Sequence, residues 1–115
     1  MAVPSIDASV SGGCLHVLVK GELIYEHQAL LREQFDELLQ HGDACIVVDL
    51  TQVGFCDSSG LNVLLDLRLQ AEQNGRQLLL ACVPDPLRRL LEITGSDQVL
   101  RIYDTVAEAD AACVP

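Results

Sequence analysis

Cys45-Ile46-Val47-Val48-Asp49-Leu50, followed at 57–61 by Asp57-Ser58-Ser59-Gly60-Leu61, is the stretch that decides the fold. The first run is nearly all apolar and is strand-sized. Such a run predicts a central strand covered on both faces, the arrangement of a parallel sheet under helices. A polar loop is expected next, and then a helix start. Asp57 and Ser58 are both good N-caps, Gly60 is a small residue in the first turn, and Leu61, Leu64 and Leu65 open an apolar stripe that runs to about Asn74 before Gly75 ends it. Gln77 to Val83 is a second buried strand, so 45–83 reads as a β-α-β unit.

Toward the N-terminus, Ser5 to Val10 alternates weakly, with Ile6, Ala8 and Val10 on one side. Ser11-Gly12-Gly13 is a turn signal, and Cys14 to Lys20 is a strand with Leu15, Val17 and Val19 facing one way, which together predict a β-hairpin. Gly21-Glu22-Leu23 leaves that strand. From about Tyr25 to His41 the period becomes helical: Leu31, Phe35, Leu38 and Leu39 share a face, Glu33, Gln34, Asp36 and Glu37 point away, and Gly42 is the C-terminal stop. Toward the C-terminus, Asp85 as N-cap and Pro86 as first helical residue start a helix carrying Leu87, Leu90, Leu91 and Ile93 and stopping at Gly95. Val99 to Tyr103 is the last strand, and Thr105 with Glu108 is a capping box for a final helix, Val106 to Ala112. The order β-β-α-β-α-β-α-β-α predicts one α/β domain over 1–115, with a mixed, mostly parallel sheet of about five strands and four helices.

A chain of 115 residues suits one core, and with half its residues hydrophobic but only 3% aromatic that core must be built from Leu, Val, Ile and Ala. Seventeen acidic against seven basic residues give a net charge of -10, a field that repels a phosphate backbone, so nucleic acid is not an expected partner. An anionic membrane surface is disfavoured for the same reason. No charged-then-apolar leader is seen at Met1 to Val10, and the longest apolar strings, such as Leu78 to Val83, are too short to cross a bilayer, so a cytoplasmic location without membrane insertion is expected.

An enzyme needs a constellation of groups, and the usual ones are missing. The sequence has no phosphate-cradling G-x-x-x-x-G-K-S/T loop, no G-x-G-x-x-G after a strand and no G-x-S-x-G elbow. His16, His27 and His41 are scattered, and none has a second metal ligand at a plausible spacing. The five cysteines are odd in number and include no C-x-x-C pair, so neither a disulfide framework nor a zinc site is expected. Cys45 and Cys82 read as small buried hydrophobes. Cys56 has no His or Lys beside it in sequence to make it a thiolate. Asp49 and Asp57 can meet near the end of the third strand, but acid/base work needs a third group to position a substrate. No cofactor is expected, and a small enzyme using Cys56 or Asp57 is disfavoured by the missing base.

What remains is 55–61, placed after a strand and at a helix start, where binding sites gather in open α/β sheets. One reading makes Asp57 or Ser58 an ordinary cap. The other makes Ser58 a modifiable hydroxyl: a phosphoryl group at a helix N-terminus is tolerated by the dipole and adds about 1.5 to 2 negative charges. The fold would survive, while a partner docked on that surface would be repelled. Gly60, without a side chain, would let a partner's backbone approach closely.

Val48-Asp49-Leu50 followed by Phe55-Cys56-Asp57-Ser58-Ser59-Gly60-Leu61 resembles the core motif of STAS domains, specifically of bacterial anti-sigma factor antagonists. Gly21-Glu22-Leu23, the Leu31-Arg32 helix and the Leu87 to Gly95 helix ending in Ile93-Thr94-Gly95 match in order, so the resemblance covers nearly the whole chain. It implies a non-enzymatic antagonist that binds an anti-sigma factor which is also an ATP-using serine kinase, most tightly in its ADP state, and so releases a sigma factor. Phosphorylation of Ser58 by that kinase would end the interaction, and a phosphatase would restore it. Carried over by position, Asp57, Ser58, Ser59 and Gly60, with Glu22 and Ile24, form the partner-binding surface, and Leu61 anchors the helix. The sequence departs from the family where an Asp follows Gly-Glu-Leu and Thr-Ala comes shortly after; these places hold Ile24, His27 and Gln28. That Asp helps kinase contact, so Ile24 bears on the partner and on the efficiency of phosphorylation. The alternative within the same fold is a STAS subunit of another assembly, a partner of a lipid-transporter ATPase or part of a stress-signalling complex, with Ser58 only a cap.

Overall fold

A computed structural model describes residues 3–40 and 44–113. The strands are β1 (Ser5–Ser11), β2 (Cys14–Leu23), β3 (Cys45–Cys56), β4 (Gln77–Ala81) and β5 (Arg101–Tyr103). The α-helices are α1 (Gln28–Leu38), α2 (Ser58–Gln73), α3 (Asp85–Thr94) and α4 (Val106–Ala112), with short 3-10 turns at Tyr25–His27 and Ser96–Gln98. One five-stranded sheet runs in the order β1-β2-β3-β4-β5. Its β1–β2 pair is antiparallel and every other pair is parallel. The α/β class, the order of elements and the leading hairpin are as the sequence predicts.

The hairpin closes on the Ser11–Cys14 pair. Between them Gly12 and Gly13 have φ of 60° and 82°. Two successive left-handed residues make the turn whose twist matches the strands, and glycine adopts it without a steric penalty. That sets the β1–β2 register. In β2, β3 and β4 the period-2 alternation then sorts side chains to two faces. Leu15, Val17, Val19, Ile46, Val48, Leu50, Leu78 and Leu80 join the main core with Leu31, Leu64, Leu67, Leu87 and Leu91 of α1, α2 and α3. Cys14, Cys45, Val47, Leu79 and Ala81 point to the other face, where they meet Ala109 of α4. The run 45–50 is therefore covered on both sides, which is why it lacks alternation in the sequence.

Several boundaries differ from the sequence reading. β3 does not stop at Leu50: it continues to Cys56, paired with an equally extended β2 through Lys20–Gln52, Gly21–Val53, Glu22–Phe55 and Leu23–Cys56, with register shifts after Leu18 and Gly21. The β4 pairing ends at Asp49–Ala81 and the β1 pairing at Ser5–Lys20, so from Gly21–Val53 onward β2 and β3 form a two-stranded ribbon. In this part of β3 Val53 is buried while Thr51, Gln52, Gly54 and Phe55 are exposed, a pattern that imitates a polar loop. β4 ends at Ala81 because Cys82 turns to φ 57°. Cys82 is accordingly half-buried at a strand end, not a core residue.

The first helix has a 3-10 turn before α1 proper, and α1 ends at Leu38 with Leu39 as its C-cap, short of the expected His41; the expected stop at Gly42 lies outside the described residues. In α3, Pro84 holds the N-cap position without a side-chain bond, and Asp85 sits in the first turn instead. Ile93 is 75% exposed, so that helix buries Leu87 and Leu91 but not Ile93. At α4 the capping box forms half as expected. Thr105 accepts from the Glu108 amide at 3.0 Å, but the Glu108 carboxylate accepts from the Asp104 amide rather than from Thr105.

Candidate docking site

Asp57 organises the segment singled out in the sequence. It is extended, with φ -98° and ψ -176°, and is the N-cap of α2. One carboxylate oxygen accepts from the Gly60 amide at 3.1 Å. The other accepts from the Tyr25 amide, also at 3.1 Å, 32 residues away in sequence. The Asp57 amide donates to Leu23 O at 3.1 Å. The start of α2 is thereby fastened to the end of β2 and to the turn after it. Of the two caps the sequence allowed, Asp57 is the one used. Ser58 is left as the first helical residue with its side chain exposed, and Ser59 follows half-buried. The amides of Ser58 and Ser59 have no acceptor within the helix, which makes this a polar, electropositive helix end.

Gly60 has a different role from the one expected of it. It is buried, and a Cβ on it would collide with Leu23 O and lie 2.7 Å from Leu23 Cβ and 2.8 Å from the Leu23 carbonyl carbon. The space above Gly60 belongs to β2, not to a partner's backbone. Glycine is needed so that α2 can close on Leu23. Leu61, 3% exposed, then enters the core as the resemblance implies.

Glu22 and Ile24 are half-buried on the strand and turn that Asp57 holds. Around Ile24 and Asp57 the structure adds two exposed aromatics: Tyr25, outside the segment the sequence singles out, and Phe55, which lies in that segment but is given no contact role by the sequence. Tyr25 is 71% exposed and Phe55 is 55% exposed. The chain has only two tyrosines and two phenylalanines, and one of each stands in solvent on the segments flanking Ser58. Exposed aromatics are the side chains that most often anchor a docked protein. Their signal was hidden: Tyr25 reads as a helix residue and Phe55 as part of a loop. His27, also in this turn, has a buried Nε2 without a hydrogen-bond partner among the described residues. Cys56 donates to the Asp57 carbonyl at 3.4 Å. Burial, and then the Asp57 carboxylate, push its thiol up to about 12, so it is neutral and poorly nucleophilic near neutral pH.

Asp49 and Asp57 do not meet. With β3 extended between them they are roughly 25 Å apart at strand spacing. Asp49 Oδ1 accepts from the Thr51 amide at 2.9 Å. Asp49 also lines a cleft of about 340 Å³ with Asp7, His16, Leu18 and Val106, between the hairpin and α4. No residue of 55–61 reaches that cleft. His16 pairs with Asp110 of α4 at 2.6 Å.

The STAS domain family matches residues 5–109. The chain belongs to the STAS domain family. Among its relatives, the anti-sigma F factor antagonist of Paenibacillus polymyxa is 35% identical over 98 residues, covering 84% of each chain. An anti-sigma factor antagonist from Mycobacterium paratuberculosis superposes with a TM-score of 0.86 at 22% identity, over 95% of this chain and 92% of that one. The Bacillus cell fate determinant SpoIIAA, an anti-sigma factor antagonist, superposes with a TM-score of 0.75 at 17% identity in its unphosphorylated form, over 96% of this chain and all of that one. In its phosphorylated form the values are 0.69 and 16%, over 95% of this STAS domain and all of that chain. At such identities the structural likenesses establish the fold alone.

Proposed function

We propose that this STAS domain is a cytoplasmic anti-sigma factor antagonist, a binding protein rather than an enzyme. Its surface around Ser58 docks on an anti-sigma factor that is also a serine kinase, and docking releases the sigma factor. Phosphorylation of Ser58 ends the contact and a phosphatase restores it. One observation carries this reading: Asp57, not Ser58, caps α2, so the Ser58 hydroxyl is exposed and spare at the helix entrance. The relative in Paenibacillus polymyxa bears the name of an anti-sigma F factor antagonist, and SpoIIAA has a phosphorylated form.

The physics agrees with a switch. A phosphoryl group on Ser58 adds about 1.5 to 2 negative charges beside the Asp57 carboxylate. The helix N-terminus accepts that charge, so α2 persists. A partner seated on Tyr25, Phe55, Ser58 and Ser59, with Glu22 and Ile24 at its border, meets a changed field without any change of fold. Ile24 is apolar and half-buried where the family has an aspartate, so kinase contact on that side is weaker and phosphorylation slower. A pull-down with the wild type and Ser58→Asp tests the reading. The wild type should retain an ATP-binding serine kinase and Ser58→Asp should not. Recovery of a transporter ATPase without such a kinase would assign the domain to another assembly.

A further inference from the structure

Three cysteines converge at the end of the sheet opposite Ser58. Cys14 opens β2 and Cys45 opens β3, and the two are ladder partners. Cys113 follows the last turn of α4. Their three sulfurs lie within 4.8 Å of one another, Cys14 and Cys45 buried and Cys113 half-buried. Cys45 and Cys113 are joined in a disulfide with Cα atoms 6.1 Å apart, inside the range of roughly 4.4–6.8 Å that the bond requires. This corrects the sequence expectation that Cys45 is a simple buried hydrophobe. The pair spans 68 residues, and spacing alone does not disclose such a connection.

The bond has a mechanical consequence. α4 has seven residues and buries Ala109. A helix so short is not stable by itself. It covers the face of the sheet that carries Val47, Leu79 and Ala81. Thr105 caps its N-terminal end, the His16–Asp110 pair ties its middle to β2, and the disulfide ties its C-terminal end to β3.

We propose that Cys45 and Cys113, with Cys14 as exchange partner, form a reversible thiol–disulfide latch on α4. The site takes a low-molecular-weight disulfide as its oxidant. The thiolate of Cys113, the most accessible of the three, attacks one sulfur of that disulfide, forming a mixed disulfide and releasing one small thiolate. The Cys45 thiolate then attacks Cys113 Sγ, forming the Cys45–Cys113 bond and releasing the second. Two protein thiols give up two protons and two electrons, and the small disulfide becomes two thiols. In the latched state Cys14 Sγ lies within 4.8 Å of Cys45 Sγ, and it attacks there once the thiol has given up its proton. Its attack forms Cys14–Cys45, breaks Cys45–Cys113 and leaves the electron pair on Cys113, with no net oxidation. α4 is then released while Cys45 stays bonded.

The latch is independent of the reading of Ser58, and its test needs no partner. The full chain is equilibrated with reduced and oxidised glutathione at a series of ratios. Thiols are alkylated, disulfide-linked peptides are mapped by mass spectrometry, and amide exchange is followed in α4. The expected result is a reversible Cys45–Cys113 link, with α4 amides exchanging about tenfold or more slowly in the oxidised chain. Cys113→Ser, at a half-buried position that spares the core, should still form Cys14–Cys45 on oxidation while α4 exchange no longer responds. The proposal is overturned if the oxidised link maps to Cys56 or Cys82, or if α4 exchange is the same in both states. It is equally overturned if Cys113→Ser never forms Cys14–Cys45, or if the reduced chain retains a metal ion that shields all three thiols from alkylation.

Discussion

Replacing Gly60 by alanine should destabilise this domain even though alanine is the better helix former. The added Cβ would overlap Leu23 O and stand 2.7 Å and 2.8 Å from Leu23 Cβ and the Leu23 carbonyl carbon. Two of these atoms are backbone and the third is fixed to it, so no side chain can swing aside. The start of α2 must retreat from β2. Overpacking of this kind costs about 1–3 kcal/mol. The retreat also stretches the Asp57 amide's bond to Leu23 O and the Tyr25 amide's bond to Asp57, both 3.1 Å long, each worth about 1 kcal/mol. The helix propensity of alanine returns at most about 1 kcal/mol. The net loss is about 2–4 kcal/mol, or roughly 4 °C of Tm per kcal/mol for a domain near this size. Urea unfolding followed by circular dichroism reads it directly. Gly54→Ala is the control, because a Cβ there meets nothing nearer than Gly21 O at 4.0 Å. If Gly60→Ala unfolds within about 0.5 kcal/mol of the wild type, the close approach of α2 to Leu23 is not what this glycine serves.

Three further outcomes follow from the same contacts. Asp57→Ala removes the acceptor of two backbone amides and should cost about 2 kcal/mol in urea unfolding, whereas Ser58→Ala should stay within about 0.5 kcal/mol, because Ser58 is not the cap. Cys56 holds its proton in the folded state up to about 12, while an unfolded thiol loses it near 8.5, so unfolding releases a proton in that interval and stability falls as pH rises through it. Cys56→Ser should flatten that alkaline decline, measured as the urea midpoint against pH. Tyr25→Ala and Phe55→Ala should leave the urea midpoint nearly unchanged and weaken kinase retention at least tenfold, read by titration calorimetry.

The fold was legible where burial on two faces or one face wrote a clear period. The run 45–50, the stripes of α1 and α2 and the Gly-Gly hairpin all carried their structure in local chemistry. The β2–β3 ribbon did not, because beyond Lys20 and Ala81 its strands lose their outer neighbours and half its residues turn to solvent. At the site, the sequence located Asp57 and Ser58 but left both open as the cap. The choice depends on the Tyr25 amide, which only the folded chain brings to Asp57. Gly60 was noticed for the right absence, a missing side chain, and given the wrong neighbour. The Cys45–Cys113 bond was invisible because pairing across 68 residues is a property of the sheet and of α4, not of spacing.

The central claim is that Ser58 is the switch, and the most direct measurement is to map the phosphate. Wild type, Ser58→Ala and Ser59→Ala are each incubated with the cognate kinase and ATP, and the modified residue is located by mass spectrometry. The account predicts phosphate on Ser58 in the wild type and in Ser59→Ala, none in Ser58→Ala, and loss of kinase binding as Ser58 is modified. Phosphate on Ser59 of the wild type, or undiminished labelling of Ser58→Ala, would contradict it.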